Sequence, residues 1–229
     1  MANEQQQLSE QESLRLITEM IQKAKKSYHD TGISALLWGS AVFIASFVTY
    51  LRHEFNFTLP FDIWLLVLFA IVPQIVITIR ESKFRKFKSH DDIAIDAIWI
   101  VYAATLFGLM IYVNTVPDVT IKFINAEGWQ MVKHTVNNSK PDEPLRPFAP
   151  SITSIYILIY AFPTLATGVI KKFKPMIIGA VITYGLFIVS CFTENKYDML
   201  LSAITALVCW FIPGIILRKR YLKQKKGNV

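Results

Sequence analysis

Six long apolar stretches without a charged residue limit what this sequence can fold into. They have 17 to 24 residues each and cover residues 33–51, 63–79, 97–117, 147–170, 175–193 and 199–217. A membrane-spanning helix needs about 17–25 predominantly apolar residues. A large soluble protein could bury such helices only beneath polar ones, and with 18% charged residues this chain has too few polar residues to supply them. The sequence therefore predicts an all-α integral membrane protein with six transmembrane helices.

Lysine and arginine are distributed unevenly between the segments that connect these stretches. Eighteen of the 24 lie in the N-terminal segment, the second and fourth connections and the C-terminal segment. The positive-inside rule assigns such segments to the cytoplasm. We therefore expect both termini in the cytosol and three hairpins that each run in, out and in again. The basic segments also carry Phe and Tyr, which suits contact with anionic lipids at the cytoplasmic face, and nucleic acid is not an expected partner despite the net charge of +7.

The boundaries of these stretches divide the chain into three parts. Residues 1–32 are predicted to form a cytosolic amphipathic helix, residues 33–217 the membrane domain, and residues 218–229 a basic cytosolic tail. The N-terminal helix has apolar residues at helical spacing, namely Leu14, Ile17, Ile21 and Tyr28. This stripe has to be covered by the membrane surface or the protein's own loops, by a second copy, or by a separate protein partner.

The longest segment expected outside the bilayer is the outer loop 118–146. It has four basic and four acidic residues, so it creates no net field. Residues 119–124 alternate between the two faces as a short strand does, and residues 128–132 suit a helical turn that places Trp129 at the interface. Prolines at the end of the loop favour an extended approach to the fourth span.

Spans two, four and six each contain one proline toward their predicted cytoplasmic end. The three pairs are Pro73 with Gln74, Pro163 with Thr164, and Pro213 with Gly214. This recurrence suggests three related hairpins around an axis along the membrane normal. Because proline kinks a helix and frees backbone carbonyls, the six residues are candidates for lining a cavity that faces the cytoplasm. The simpler interpretation is that the prolines only shape the bundle.

Residues that usually carry chemistry are scarce. Asp96 is the candidate intramembrane acid, and it lies barely one turn past Asp92 near the predicted inner boundary. Asp91 or Asp92 is better explained as a helix N-cap than as part of a metal site. Cys191 and Cys209 lie in apolar runs and are expected to pack as small hydrophobic residues. We identify no catalytic, cofactor-binding or metal-binding residues, and expect no cofactor.

Three parts of the sequence carry a resemblance to a known family. They are residues 12–27 leading into 37–39, residues 160–179 (YAFPTLATGVIKKFKPMIIG) and residues 209–221 (CWFIPGIILRKRY). Together they resemble an uncharacterised family of small bacterial inner-membrane proteins with six spans. The resemblance covers nearly the whole chain and is least clear in the outer loop. It implies a location in the bacterial inner membrane and assigns no activity or site residue.

The lack of deep ionisable groups and the stripe on the N-terminal helix favour one function class. We expect a non-enzymatic scaffold, sensor or regulatory subunit that acts through protein contacts. The alternative is a small permease or channel with a cavity near the three prolines. An enzyme with reactive residues at the membrane edges is a third hypothesis.

Overall fold

A computed structural model describes residues 14, 15, 18, 31–84, 89–137, 139–147 and 152–227. Within these residues the chain forms eight α-helices, which we number in chain order. They are α1 (Ile33–Phe55), α2 (Leu65–Phe69), α3 (Ile71–Phe84), α4 (His90–Ala126), α5 (Ile152–Ile170), α6 (Lys174–Ser190), α7 (Asn195–Ala206) and α8 (Ile212–Gly227). A π-helical segment, Leu207–Phe211, joins α7 and α8 into one long helix. Two short strands, β1 (Val132–Lys133) and β2 (Glu143–Pro144), pair antiparallel.

Five helices are long and apolar enough to cross a membrane. They are α1, the α2–α3 segment Leu65–Lys83, α4, α5, and the continuous helix Asn195–Lys226 that contains α7 and α8. Helix α6 is apolar as well but has only 17 residues. The chain is therefore an all-α protein with helices of membrane-spanning length.

The helix bundle has two ends, which we call the loop end and the tail end after the segments found there. At the loop end, the start of α7 contacts α1 and α5: Lys196 Nζ lies 3.3 Å from Glu54 Oε2, and Thr153 Oγ1 donates to Asn195 Oδ1 at 2.8 Å. At the tail end, Gly32 lies against the backbone of Gly214 at the start of α8. The segment 127–147, which contains β1 and β2, belongs to the loop end.

The core is a bundle of α1, α5, α6 and the long α7–α8 helix. Helices α5 and α6 form a hairpin through a tight turn in which Lys172 has a positive φ of 51°. Ala161, Ala180, Ala203 and Ala206 are fully buried, and such small residues allow helices to approach closely. Helix α4 packs on α5, and the α2–α3 segment packs on α1, so both lie at the edge of this bundle.

The π-helical segment is held between two glycines on neighbouring helices. A Cβ atom at Gly39 of α1 would lie 2.6 Å from the backbone nitrogen of Phe211. A Cβ atom at Gly179 of α6 would overlap the carbonyl oxygen of Val208. Only glycine permits this approach of three backbones. The π geometry therefore lies where the packing of the bundle is tightest.

Both ends of helix α4 differ from the predicted ones. Its N-cap is Ser89, not Asp91 or Asp92: the Ser89 side chain accepts from the Asp92 backbone N–H, and Asp92 returns the bond in a capping box. At the other end, α4 continues through Pro117 to Ala126, so the strand predicted for residues 119–124 is helical. An alternating segment forms a strand only where a partner strand is available, and here the preceding helix simply continues.

The segment predicted as the outer loop, 118–146, is helical as far as Ala126, where α4 ends. Gly128 adopts a φ of +85° in the turn that ends α4. Residues 128–132 do not form the predicted helical turn, because residues 129–131 have no regular secondary structure and Val132 begins β1. Pro144 belongs to β2, in agreement with the extended conformation expected for the proline-rich part of the loop.

Candidate functional site: a buried polar stripe

Gln74, a predicted cavity residue, connects two helices. Its Oε1 accepts a hydrogen bond from Trp38 Nε1 at 3.1 Å, and its Nε2 donates to Ser34 Oγ and Thr78 Oγ1, both at 3.1 Å. The neighbouring Pro73 is exposed. Hydrogen bonds between polar side chains stabilise contacts between helices in an apolar environment. Gln74 therefore joins α3 to α1 at the edge of the bundle.

The other two proline pairs lie in the interior. Pro163 and Pro213 are fully buried. Thr164 donates to the Tyr160 carbonyl at 3.1 Å and accepts from Trp210 Nε1 at 3.0 Å. Gly214 faces α1, where an added Cβ would lie 3.0 Å from the Leu36 nitrogen. The structure thus places two of the three prolines in the packed core and leaves the third, Pro73, exposed at the periphery.

The remaining predicted residues lie near the tail end or outside the described part of the chain. Leu14 is 64% exposed. Ile17, Ile21 and Tyr28 fall outside the described residues, so the proposed N-terminal stripe stays a prediction. Asp96 is half-buried in the second turn of α4. Asp96 lies near the beginning of an apolar helix, and its assignment as an intramembrane acid stays a prediction.

Aromatic side chains from three helices form one cluster against the π-helical segment. The centroids of Trp210 and Tyr160 are 5.0 Å apart, and those of Trp99 and Tyr102 are 5.3 Å apart. Tyr102 and Trp210 make an edge contact at 6.5 Å. Trp99 also donates to Thr167 Oγ1 at 3.2 Å. Rings at these distances pack against one another, so the cluster attaches α4 to the bundle.

A row of buried polar side chains runs along the inner side of the long helix, and we call it the polar stripe. It consists of Asp198, Ser202, Thr205 and Cys209, which are 0–2% exposed. Ser202 Oγ lies 3.2 Å from Ser46 Oγ on α1, and Cys209 Sγ lies 3.1 Å from Thr183 Oγ1 on α6. Thr205 Oγ1 and Asp198 Oδ2 have no hydrogen-bond partner among the described residues. Only some of the polar atoms of the stripe therefore have a hydrogen-bond partner among the described residues.

Asp198 is the most unusual member of the stripe. Its Oδ1 accepts a 2.6 Å hydrogen bond from Thr193 Oγ1, which connects the turn between α6 and α7 to the helix. Burying an ionised carboxylate without a counter-charge costs several kcal/mol. The helix dipole at the N-terminal end of α7 stabilises a negative charge there by only about 0.3–1 kcal/mol. The charged form of Asp198 is therefore poorly compensated where it lies.

Asp198 is not among the predicted site residues, because it stands immediately before the uncharged stretch 199–217, where the sequence suits a loop. The available signal was the spacing of four polar or small polarisable residues at 198, 202, 205 and 209. These positions follow one another at intervals of four, three and four residues, which places them along one side of a helix. The buried alanines Ala203 and Ala206 lie beside them.

A small cavity opens at the loop end, close to the start of the stripe. It has a volume of about 160 Å³, and its lining includes Pro117, Arg146, Thr153 and Asn195. Arg146 Nη2 lies 4.0 Å from Asp118 Oδ1, an exposed and loose ion pair. The hydrogen-bonded pair Thr153–Asn195 belongs to this wall, and Asn195 lies one helical turn before Asp198. The stripe thus begins near a surface that solvent reaches.

The arrangement can exchange hydrogen bonds and protons but offers no evident metal centre. Within the described residues, no three or more His, Cys, Asp or Glu side chains are grouped as a metal site would require. The hydroxyl and thiol groups of the stripe both donate and accept hydrogen bonds. Comparisons with protein-family models, with curated proteins and with solved structures find no match to this chain.

Proposed function

We propose that the chain is a six-span protein of the bacterial inner membrane with both termini in the cytoplasm. The helices of membrane-spanning length support the membrane location, and the excess of Lys and Arg at the tail end supports the orientation. Helix α6 is the fifth span in this proposal. Its 17 residues stand at the lower limit of about 17–25 for a spanning helix, and it packs as the partner of α5 in a tight hairpin.

Reporter fusions on either side of α6 test whether this helix spans the membrane. A reporter placed after Lys172 should lie in the cytoplasm, and one placed after Glu194 should lie outside. Opposite sides for the two positions are required if α6 spans the membrane. The same side for both would reduce the protein to five spans and move the C-terminus outside.

We propose that the protein is a non-enzymatic scaffold, sensor or regulatory subunit that acts through contacts with another protein. The observation that carries this proposal is the packing of the α2–α3 segment and α4. In the most apolar part of each, only 6% of the residues are buried, compared with 33% to 50% in α1, α5 and the long helix. These two segments hold to the bundle by few side chains, so most of their surface is available to lipid or to a second chain.

The exposed surface of α4 provides variants that test the contact. Phe107 and Ile111 are 62% and 50% exposed and lie four residues apart on this helix. Changing both to alanine should lower recovery of a stoichiometric partner after purification from native membranes in mild detergent. The matched control is Ile178→Ala with Ile182→Ala on α6, where both residues are also exposed. Purification of a lone monomer would contradict the contact-based function.

The alternative proposal is a small permease or channel, and the polar stripe favours it. The stripe includes the buried carboxyl group of Asp198, and ionisable residues within apolar helices are typical of paths that carry ions or protons. In this proposal the path is lined by the polar stripe as well as by the residues beside the three prolines. Liposomes that contain the purified protein should then release a small cation or protons faster than liposomes without protein. Flux that does not change when Ser202 and Thr205 are replaced by alanine would remove this alternative.

A further inference from the structure

The strongest unassigned feature of the molecule is the buried carboxyl group of Asp198. The residue is 0% exposed, although it stands only in the first turn of α7. Oδ1 accepts a single hydrogen bond, from Thr193, and Oδ2 accepts none from the described residues. An ionised carboxylate has about four acceptor positions on its two oxygens. One donor therefore leaves most of its capacity unused.

The charged groups on the packed elements do not compensate a negative charge at Asp198. Lys196 is two residues away on the same helix, pairs with Glu54, and faces a different side because neighbours at this spacing do not share a face. Helix α1 contributes the half-buried Arg52 and the exposed His53 and Glu54 in its last turn. Among the described residues, none of these three side chains makes an ion pair or hydrogen bond with Asp198. The nearby ends of the other packed elements contribute Thr153, Ser154, Ser190, Cys191 and Glu194, none of which is a cation. The cation on the wall of the loop-end cavity, Arg146, has Asp118 as its ion-pair partner.

A neutral carboxyl group fits this environment better than a carboxylate. The neutral form carries no net charge into the interior, and Oδ1 still accepts the proton of Thr193. The hydrogen then sits on Oδ2, the oxygen without a partner. Ser202 follows Asp198 by one turn, and the stripe continues to Cys209, about 16 Å further along the helix axis. This distance is about half the thickness of a bilayer's hydrocarbon core.

We propose that Asp198 is a proton-binding site at the loop end of the polar stripe. At neutral pH its carboxyl group holds one proton on Oδ2. The proton comes from a hydronium ion at the loop-end surface, beside Thr153 and Asn195. One O–H bond of that ion breaks to leave water as the O–H bond on Oδ2 forms, and the carboxylate becomes the neutral acid. This assignment makes the proton a ligand of the membrane domain, whether the protein acts through contacts or through transport.

Infrared spectroscopy of the full chain in lipid nanodiscs tests the site directly. A protonated carboxyl group has its own carbonyl band, separate from that of a carboxylate. The wild-type protein at neutral pH should show this band, and Asp198→Asn should remove it. The controls are Asp96→Asn in α4 and Asp118→Asn at the loop end, and both should keep the band. Absence of the band in the wild type, or its persistence in Asp198→Asn, would overturn the assignment.

A second variant keeps the test decisive if Asp198→Asn fails to fold. Thr193→Val removes the one hydrogen bond that the described residues make to the carboxyl group and leaves Asp198 in place. The band should then remain at full intensity and move to higher frequency, as expected for a carbonyl group that loses its donor. A band at the wild-type frequency in folded Thr193→Val protein would show that it arises from another residue and would contradict the proposal.

Discussion

Gly179 of α6 lies so close to the carbonyl oxygen of Val208 that a methyl group at this position would overlap it. Val208 belongs to the π-helical segment, so this contact occurs where the long helix departs from α geometry. The same segment is approached from the opposite helix by Gly39. The two glycines therefore determine how closely α1, α6 and the long helix pack.

The contact predicts that Gly179→Ala destabilises the bundle. The added Cβ cannot be accommodated by a side-chain rotation, because the obstructing atom belongs to the backbone. Overpacking of this kind costs about 1–3 kcal/mol. Heating the purified protein and measuring the fraction that remains monodisperse would detect the loss.

Gly185→Ala is the matched control for this change. Gly185 lies on the same helix, and nothing surrounds its Cβ position within 4 Å. Replacing glycine by alanine in an open helical position stabilises by about 0.5–1 kcal/mol. Equal destabilisation by the two variants would mean that the contact with Val208 is unimportant.

The hydrogen bond from Trp210 to Thr164 predicts a measurable loss in Thr164→Val. The substitution leaves the buried indole N–H without its acceptor. Hydrogen bonds between helices in membrane proteins contribute about 0.6–2 kcal/mol. The thermal midpoint of Thr164→Val should fall, whereas Thr105→Val, at an exposed position of α4, should leave it nearly unchanged. Combining Thr164→Val with Trp210→Phe should cost less than the sum of the two changes.

Gln74→Leu should loosen α3 selectively. The variant removes the side-chain hydrogen bonds to Trp38 and Ser34 on α1. Hydrogen exchange should increase in residues 71–84 and stay unchanged in α5 and α6. Thr78→Val is the control, since it removes only a contact within α3 itself. Faster exchange throughout the protein would show instead that Gln74 supports the whole bundle.

The N-terminal stripe leads to a separate prediction. Changing Ile17 and Ile21 to lysine should abolish complex formation while the protein remains in the membrane, because charged residues cannot cover an apolar partner surface. Exchanging the charges of Glu19 and Lys23 on the opposite side provides the control and should preserve the complex. Unchanged co-purification of the partner with the lysine variant would contradict a role for the stripe.

The apolar helices were the most predictable part of this fold. Uncharged runs longer than 17 residues leave a chain few alternatives, and α1, α5 and the long helix lie where these runs occur. The end of α4 was less predictable. Residues 119–124 alternate in a way that suits a strand, but secondary structure there depends on whether a pairing partner exists, and that is a tertiary property.

The candidate site illustrates the same limit. Gln74, Thr164 and Gly214 are predicted cavity residues because they follow prolines, and the structure shows that each makes a specific contact between helices. The burial of the Asp198 side chain cannot be inferred from its position in the sequence beside a charged turn, so Asp198 is not a predicted site residue. Its burial results from the packing of α1, α5 and α6 around the start of α7, which the local sequence does not encode.

The π-helical segment also sets the rotational phase of everything that follows it. One residue in an α-helix corresponds to a rotation of about 100°, and a π turn accommodates one residue more than an α turn. If Leu207–Phe211 took uninterrupted α geometry with every residue retained, α8 would turn by about that angle relative to α7. Arg220, which now lies over the ring of Phe173, would face another direction, and Gly214 would no longer meet α1. The extra residue thus acts as a phase adjustment between the two halves of the helix.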